Sequence, residues 1–182
     1  MEDQKSVIKP SVSYGLYLGI ALILFSLIMF LLDVDHDSKL MWFSYLIMAG
    51  GLFWAMVSFR DKINRGFITY GKAFGVGFWT GLFAAILGSI FTYIYVTMID
   101  PGMIEEILLK AEDQILESNP NMSDEQLEQA LSMTEKFTSP IMITIWGFVA
   151  NVIFATILSL IIAIFVKREG TIEIVEEEVV EE

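Results

Sequence analysis

The sequence predicts an all-α integral membrane protein with four transmembrane helices and an amphipathic helical hairpin between spans 3 and 4. Of the 182 residues, 55% are hydrophobic, whereas a soluble domain has about 45–50% apolar residues. The apolar residues are concentrated in four long blocks, each close to the ~20 residues that cross a hydrocarbon core of about 30 Å. Two shorter segments between the last two blocks have the spacing of amphipathic helices.

The four blocks define predicted spans at about residues 12–32, 40–59, 73–99 and 140–166. At 1.5 Å per residue, spans 3 and 4 each make about 40 Å of helix. We therefore expect both to tilt or to project beyond the bilayer. Residues 1–168 are predicted to form one transmembrane domain, and the acidic tail at residues 169–182 is predicted to be disordered because its carboxylates repel one another.

The predicted hairpin covers residues 101–138 and contains much of the negative charge of the chain, which is −12 overall. Ser123 and Gln126 have the spacing of a capping box. Pro101 and Pro140 each follow a residue that suits a helix cap, Asp100 and Ser139, so we expect both prolines in first turns. The apolar positions recur with helical spacing and the carboxylates take the opposite faces, which predicts two helices outside the membrane.

Small side chains recur on one face of span 3 and at every fourth position of span 4. Small residues let membrane helices approach closely, so we expect these two faces to meet. The predicted packing residues are Gly77, Gly81, Ala84, Gly88, Gly147, Asn151, Ala155 and Ser159.

Asn151 has two interpretations, because it is the single carboxamide in the spans. One is an amide that gates a pore or contacts a substrate. The other is an interhelical hydrogen bond worth roughly 0.6–2 kcal/mol. Its place in a run of small residues favours the hydrogen bond.

The residue inventory gives no support for catalysis. The interiors of the spans hold no Asp, Glu, Lys, Arg or His, the chain has no Cys, and it has one His. Proton relays and coupled transporters usually need ionisable groups within the membrane. We therefore expect no catalytic, cofactor-binding or metal-binding residues, and the absence of a large basic surface predicts no nucleic-acid partner.

The stretch from Asp33 to Asp37 has the D-x-D-x-D start of a calcium loop. The sixth position would be Ser38 instead of glycine, and the twelfth would be Ser44 instead of glutamate. We interpret this stretch as a solvated turn between spans 1 and 2.

Basic residues predict the orientation. Eight Lys and Arg residues fall on the side of the termini and three on the side of the hairpin. This predicts a multi-pass protein of the bacterial inner (cytoplasmic) membrane with both termini in the cytoplasm.

One stretch, GFITYGKAF-x-x-GF at residues 66–78, leads from a basic loop into span 3. An acidic segment containing MSDEQ (residues 122–126) then leads to a last span that ends in Lys167-Arg168. In these features the chain resembles the uncharacterised four-span membrane proteins of Bacteroidetes-type bacteria grouped as domain of unknown function 4199 (DUF4199). The resemblance implies an inner-membrane protein and no particular activity.

We therefore expect an integral membrane protein of unknown biochemical function that acts as a non-enzymatic accessory or assembly component. Its partners would be the lipid bilayer and a protein bound through the outer hairpin, and a homo-oligomer is compatible with the sequence. The alternative is a small oligomeric channel or transporter.

Overall fold

The computed structural model describes residues 6–34 and 38–169, and this part of the chain is helical without a named strand. Its six α-helices are α1 (Ile8–Leu31), α2 (Phe43–Ser58), α3 (Tyr70–Ile94), α4 (Gly102–Ser118), α5 (Asp124–Phe137) and α6 (Pro140–Val166). A 3₁₀ turn (Lys39–Trp42) precedes α2, and π-helical turns (Phe59–Ile63 and Tyr95–Ile99) extend α2 and α3.

Four helical segments are long and apolar enough to cross a membrane: Ile8–Leu31, Lys39–Ile63, Tyr70–Ile99 and Pro140–Val166. The predicted fold class is confirmed, and the chain is a multi-pass membrane protein. The first span begins earlier than predicted, because Pro10 lies in its first turn, where no intrahelical N–H bond is required. Residues 35–37 of the calcium-like stretch and the tail from residue 170 lie outside the described residues.

Helix α3 lies at the centre of the bundle. Its Gly81 contacts α6 at Ala155, its Gly77 contacts α2 at Met56, and its Ala84 lies beside the glycines of α1. We call the end of the bundle with the α2–α3 connection the basic end, and the end where α3 leads into α4 the hairpin end.

The basic end is closed by backbone pairing. The N–H groups of Ile68 and Arg168 each donate to the carbonyl oxygen of the other, both over 2.8 Å. Arg60 Nη1 donates to the carbonyl oxygen of Val166 over 3.2 Å, which satisfies one acceptor at the C-terminus of α6. The buried cluster under this pairing contains Phe59 and Ile68. These contacts fix the α2–α3 connection against the end of α6.

The hairpin of α4 and α5 has no buried residue in either helix. The predicted capping box is confirmed: Gln126 N donates to Ser123 Oγ over 3.4 Å, and Ser123 N donates to Gln126 Oε1 over 3.2 Å. The predicted start of α4 is wrong by one residue, since Pro101 is the N-cap residue, where Asp100 was expected, and it makes no side-chain cap. Asp100 lies between α3 and α4, and its carboxylate accepts a hydrogen bond from Tyr95 over 3.4 Å instead. Pro140 occupies the first turn of α6 as expected.

Candidate binding cavity at the hairpin end

The predicted small residues fall into three groups. In the first group, α3 meets α6 without space for a side chain on the glycine. A Cβ atom at Gly81 would lie 2.5 Å from Cβ of Ala155, and one at Gly77 would lie 2.6 Å from Oγ of Ser159. A real Cβ atom almost never has such short contacts. The helices are therefore in backbone contact in the half of the bundle nearer the basic end.

Ala84 forms the second group, because it faces α1. A Cβ atom at Gly15 would lie 2.8 Å from the carbonyl oxygen of Thr80 and 3.2 Å from the backbone nitrogen of Ala84. A Cβ atom at Gly19, one turn further along α1, would lie 3.5 Å from Cα of Ala84. Sequence reasoning missed this contact. The signal for it was present, since Gly15 and Gly19 have the G-x-x-x-G spacing of a helix-packing face.

Gly88, Gly147 and Asn151 form the third group, where the expected contact between α3 and α6 is not made. A Cβ atom at Gly88 or Gly147 would meet no atom within 4 Å outside its own helix. Asn151 is exposed, and its Nδ2 atom donates to the carbonyl oxygen of Gly147 over 2.8 Å. The predicted interhelical hydrogen bond of Asn151 is therefore wrong, because its amide bonds to its own helix.

Aromatic pairs join neighbouring helices beside the region where α3 and α6 separate. Tyr45 of α2 and Phe154 of α6 pack with their ring centroids 4.8 Å apart. Phe30 of α1 packs against Tyr95 in the extension of α3, with 5.8 Å between centroids. Tyr45 and Tyr95 of these pairs also line the space between the helices.

The separated helices enclose a cavity of about 680 Å³. All four spans contribute to its wall, and the start of α4 contributes Met103 and Glu106. Its deepest lining residues include Met48 and Ala84, which belong to a buried cluster with Leu52 and Ala155. The cavity therefore opens toward the hairpin end and has a closed apolar floor.

The cavity wall is apolar with a few polar groups. The ring-bearing side chains Phe25, Phe91 and Phe148 line it together with hydroxyls and the amide of Asn151. Ser44 Oγ donates to the carbonyl oxygen of Met41 over 2.7 Å, so its remaining hydrogen-bonding capacity is that of an acceptor.

The mouth of the cavity is acidic. Asp33, Asp100 and Glu106 line it, and the lining residues that the structure describes include no Lys, Arg or His. Glu106 forms an exposed ion pair of 2.8 Å with Lys110 on the next turn of α4. Among the described residues, no group of three or more His, Cys, Asp or Glu side chains could hold a metal ion.

A second depression lies between α4 and α5, with a volume of about 550 Å³. Four leucines form its floor: Leu108, Leu109, Leu127 and Leu131. Five carboxylates border them: Glu105, Glu112, Asp124, Glu128 and Glu135. We call this surface the hairpin groove.

The chain was compared with known protein families, curated proteins and solved structures. The model of a family described as "Protein of unknown function (DUF4199)" matches residues 13–168. The chain belongs to this family. The match confirms the resemblance to this family, and it covers the last three spans, most of the first, the cavity and the hairpin groove. No curated protein and no solved structure matches the chain.

Proposed function

We propose that this DUF4199 protein is a non-enzymatic accessory or assembly component of a bacterial inner membrane, and that the hairpin groove binds a protein partner through a basic amphipathic segment. The observation that carries this proposal is the groove itself, in which leucines are bordered by carboxylates on both helices. A helix with one apolar face and flanking Lys or Arg residues is complementary to such a surface.

The exposure of the hairpin supports a role in binding. Leu109 of α4 is 56% exposed and Met133 of α5 is 57% exposed, and both helices lie outside the apolar bundle. Helices that only cover the ends of a bundle bury their apolar faces against it. Of the four groove leucines, Leu109 is exposed and Leu108, Leu127 and Leu131 are half-buried, so the groove keeps part of its apolar surface open.

The proposed orientation places both termini in the cytoplasm and the hairpin on the opposite side. It is supported by the basic end, where Arg60, Lys62 and Arg65 follow α2 and Lys167 and Arg168 follow α6. Short loops rich in Lys and Arg are typical of the cytoplasmic side. A reporter enzyme that is active only outside the cytoplasm is expected to be active when it is inserted after Asn119, between α4 and α5.

Site-specific photo-crosslinking in intact cells tests the proposed partner. A benzophenone amino acid is introduced at Leu109 or Leu131 in the groove, and at Leu116 as the control. Leu116 is also an exposed leucine of α4, 40% accessible, but it does not line the groove. We expect a discrete adduct from the two groove positions, mapped by mass spectrometry to a Lys- or Arg-rich helical segment.

The proposal fails if the groove positions give no adduct, if Leu116 gives the same adduct, or if the adduct maps to an acidic or unstructured segment.

A channel within one chain is not supported by this geometry, because the floor of the cavity contains Leu52 and Ala155, at 0% and 1% exposure.

A further inference from the structure

We propose that the cavity at the hairpin end binds a lipophilic organic cation, with the apolar body of the ligand between the helices and its positive charge toward Asp33, Asp100 and Glu106. This inference does not depend on the hairpin groove or on its partner. It rests on the size of the cavity, its wall, its mouth and two glycines that have no packing contact.

The size and enclosure of the cavity suit a small organic molecule. Pockets that bind such ligands have volumes of about 300–1,000 Å³, and this cavity has about 680 Å³. It is surrounded by all four spans and has a closed floor at the buried Met48 and Ala84. A ligand seated on this floor would contact apolar side chains on its inner side, while its outer side would stay open to the surroundings.

The wall favours an apolar body that carries a cation. Phe25, Phe91 and Phe148 provide aromatic surface from three different spans. Aromatic faces attract cations by about 0.5–2 kcal/mol or more, depending on desolvation. Ser44 and Asn151 keep oxygen acceptors after donating to their own helices.

The mouth selects for positive charge. Three carboxylates line it: Asp33, Asp100, which accepts a hydrogen bond from Tyr95, and Glu106, which is paired with Lys110. Low-dielectric walls beside such charges strengthen their field. An anion of the same shape would approach carboxylates and find no basic lining residue within the part of the chain that the structure describes.

Gly88 and Gly147 provide the most specific observation, because both line the cavity and a Cβ atom at either would meet nothing within 4 Å. Glycine in the interior of a helix costs about 0.8–1 kcal/mol relative to alanine. The glycines at positions 77 and 81 offset this cost by close helix contact, whereas Gly88 and Gly147 make no such contact. Because glycine has no side chain, the cavity reaches the helix backbone at these two positions.

Tetraphenylphosphonium is the probe for the test, and tetraphenylborate is an anion of closely similar size and shape. Binding of each is measured by equilibrium dialysis to the full chain in phosphatidylcholine nanodiscs, with empty nanodiscs as the blank. We expect saturable binding of the cation and none of the anion. Gly88→Leu and Gly147→Leu should each weaken binding by roughly tenfold or more, because the leucine occupies the cavity.

Gly50→Leu is the matched control, since a Cβ atom at Gly50 also meets nothing within 4 Å but Gly50 does not line the cavity. It should bind the cation as the unchanged protein does. The double variant Asp33→Asn, Glu106→Gln keeps the volume and should weaken binding by about tenfold through the loss of charge. If one leucine variant fails to elute as a single species, the other variants still decide the result.

The proposal is overturned if the cation shows no saturable binding, if the anion binds equally well, or if correctly folded cavity variants bind as Gly50→Leu does. If the leucine variants at Gly88 and Gly147 lose cation binding but the double charge variant does not, the positive charge of the ligand does not lie at the carboxylates of the mouth.

Discussion

Gly81 of α3 lies against Ala155 of α6 so closely that a Cβ atom at position 81 would be 2.5 Å from the Cβ atom of Ala155. The cluster around this contact includes Leu52 and Ala84, which are 0% and 2% exposed. The contact therefore holds α3 to α6 at the floor of the cavity, and it determines where the tightly packed half of the bundle ends.

Gly81→Leu is predicted to destabilise the bundle. The larger side chain must push α3 and α6 apart, and overpacking of this kind costs about 3 kcal/mol at its upper range. The free energy of unfolding in mixed micelles with increasing SDS measures the effect. Gly50→Leu is the control and should not lower it, since leucine is the better helix former and a Cβ atom at Gly50 meets nothing within 4 Å. Equal stability of the two variants would contradict the close α3–α6 contact.

The contact between α1 and α3 predicts that Gly15→Ala is also destabilising, although it adds a single methyl group. That methyl group would lie 2.6 Å from Cβ of Phe83, beside the backbone of Thr80. We expect a loss of about 1–3 kcal/mol in the same unfolding assay. Gly71→Ala at the start of α3 meets nothing within 4 Å and serves as the control. If Gly15→Ala leaves the free energy of unfolding unchanged, α1 does not pack against α3 at this distance.

Gly88→Ala and Gly147→Ala are predicted to stabilise the protein, in contrast to the changes at Gly81 and Gly15. Alanine is the better helix former, and neither methyl group meets an obstacle. Each change should raise the free energy of unfolding by up to about 1 kcal/mol. A decrease at either position would mean that the glycine is packed against a neighbour and that the cavity is closed there.

Thr80→Val is predicted to stabilise the protein, because Oγ1 of Thr80 is buried and has no hydrogen-bond partner among the described residues. Removing an unsatisfied buried hydroxyl should raise the free energy of unfolding by about 1 kcal/mol. Thr156→Val is the matched control, since the Thr156 hydroxyl donates to the carbonyl oxygen of Val152 over 2.7 Å. A loss of stability at Thr80 as large as that at Thr156 would argue that the Thr80 hydroxyl has a partner.

The sequence allowed the fold class and the spans to be predicted, because apolar length and loop composition report directly on the membrane. It also predicted the capping box of α5, since the interaction between Ser123 and Gln126 is local. In contrast, the choice of neighbour for each small residue is not local. Glycines at 77, 81 and 88 share one face of an ideal helix, yet they meet two neighbouring helices and an open space.

Two further features escaped prediction for the same reason. Ser11 precedes the predicted first span, but it is buried and donates to the carbonyl oxygen of Val76 on α3 over 3.3 Å. The cavity depends on how far α3 and α6 separate beyond Gly81 and Ala155, and helical periodicity alone does not specify that distance. Contacts between distant segments decide both features.

The most direct test of the open hairpin end uses single cysteines, because the natural chain has none. Gly88→Cys and Gly147→Cys would place a thiol in the cavity, and Gly50→Cys would place one on the outside of α2. Gly88 and Gly50 lie at about the same depth in the spans that end at Ile99 and begin at Lys39. The rate of reaction with a cationic and an anionic methanethiosulfonate is measured for each variant in nanodiscs.

We predict that the thiols at positions 88 and 147 react, and that the cationic reagent is faster because the mouth of the cavity is acidic. The thiol at position 50 should remain unmodified, since a lipid-facing thiol does not ionise. If positions 88 and 147 are as unreactive as position 50 to both reagents, the helices are closed at the hairpin end and the account given for the cavity is wrong.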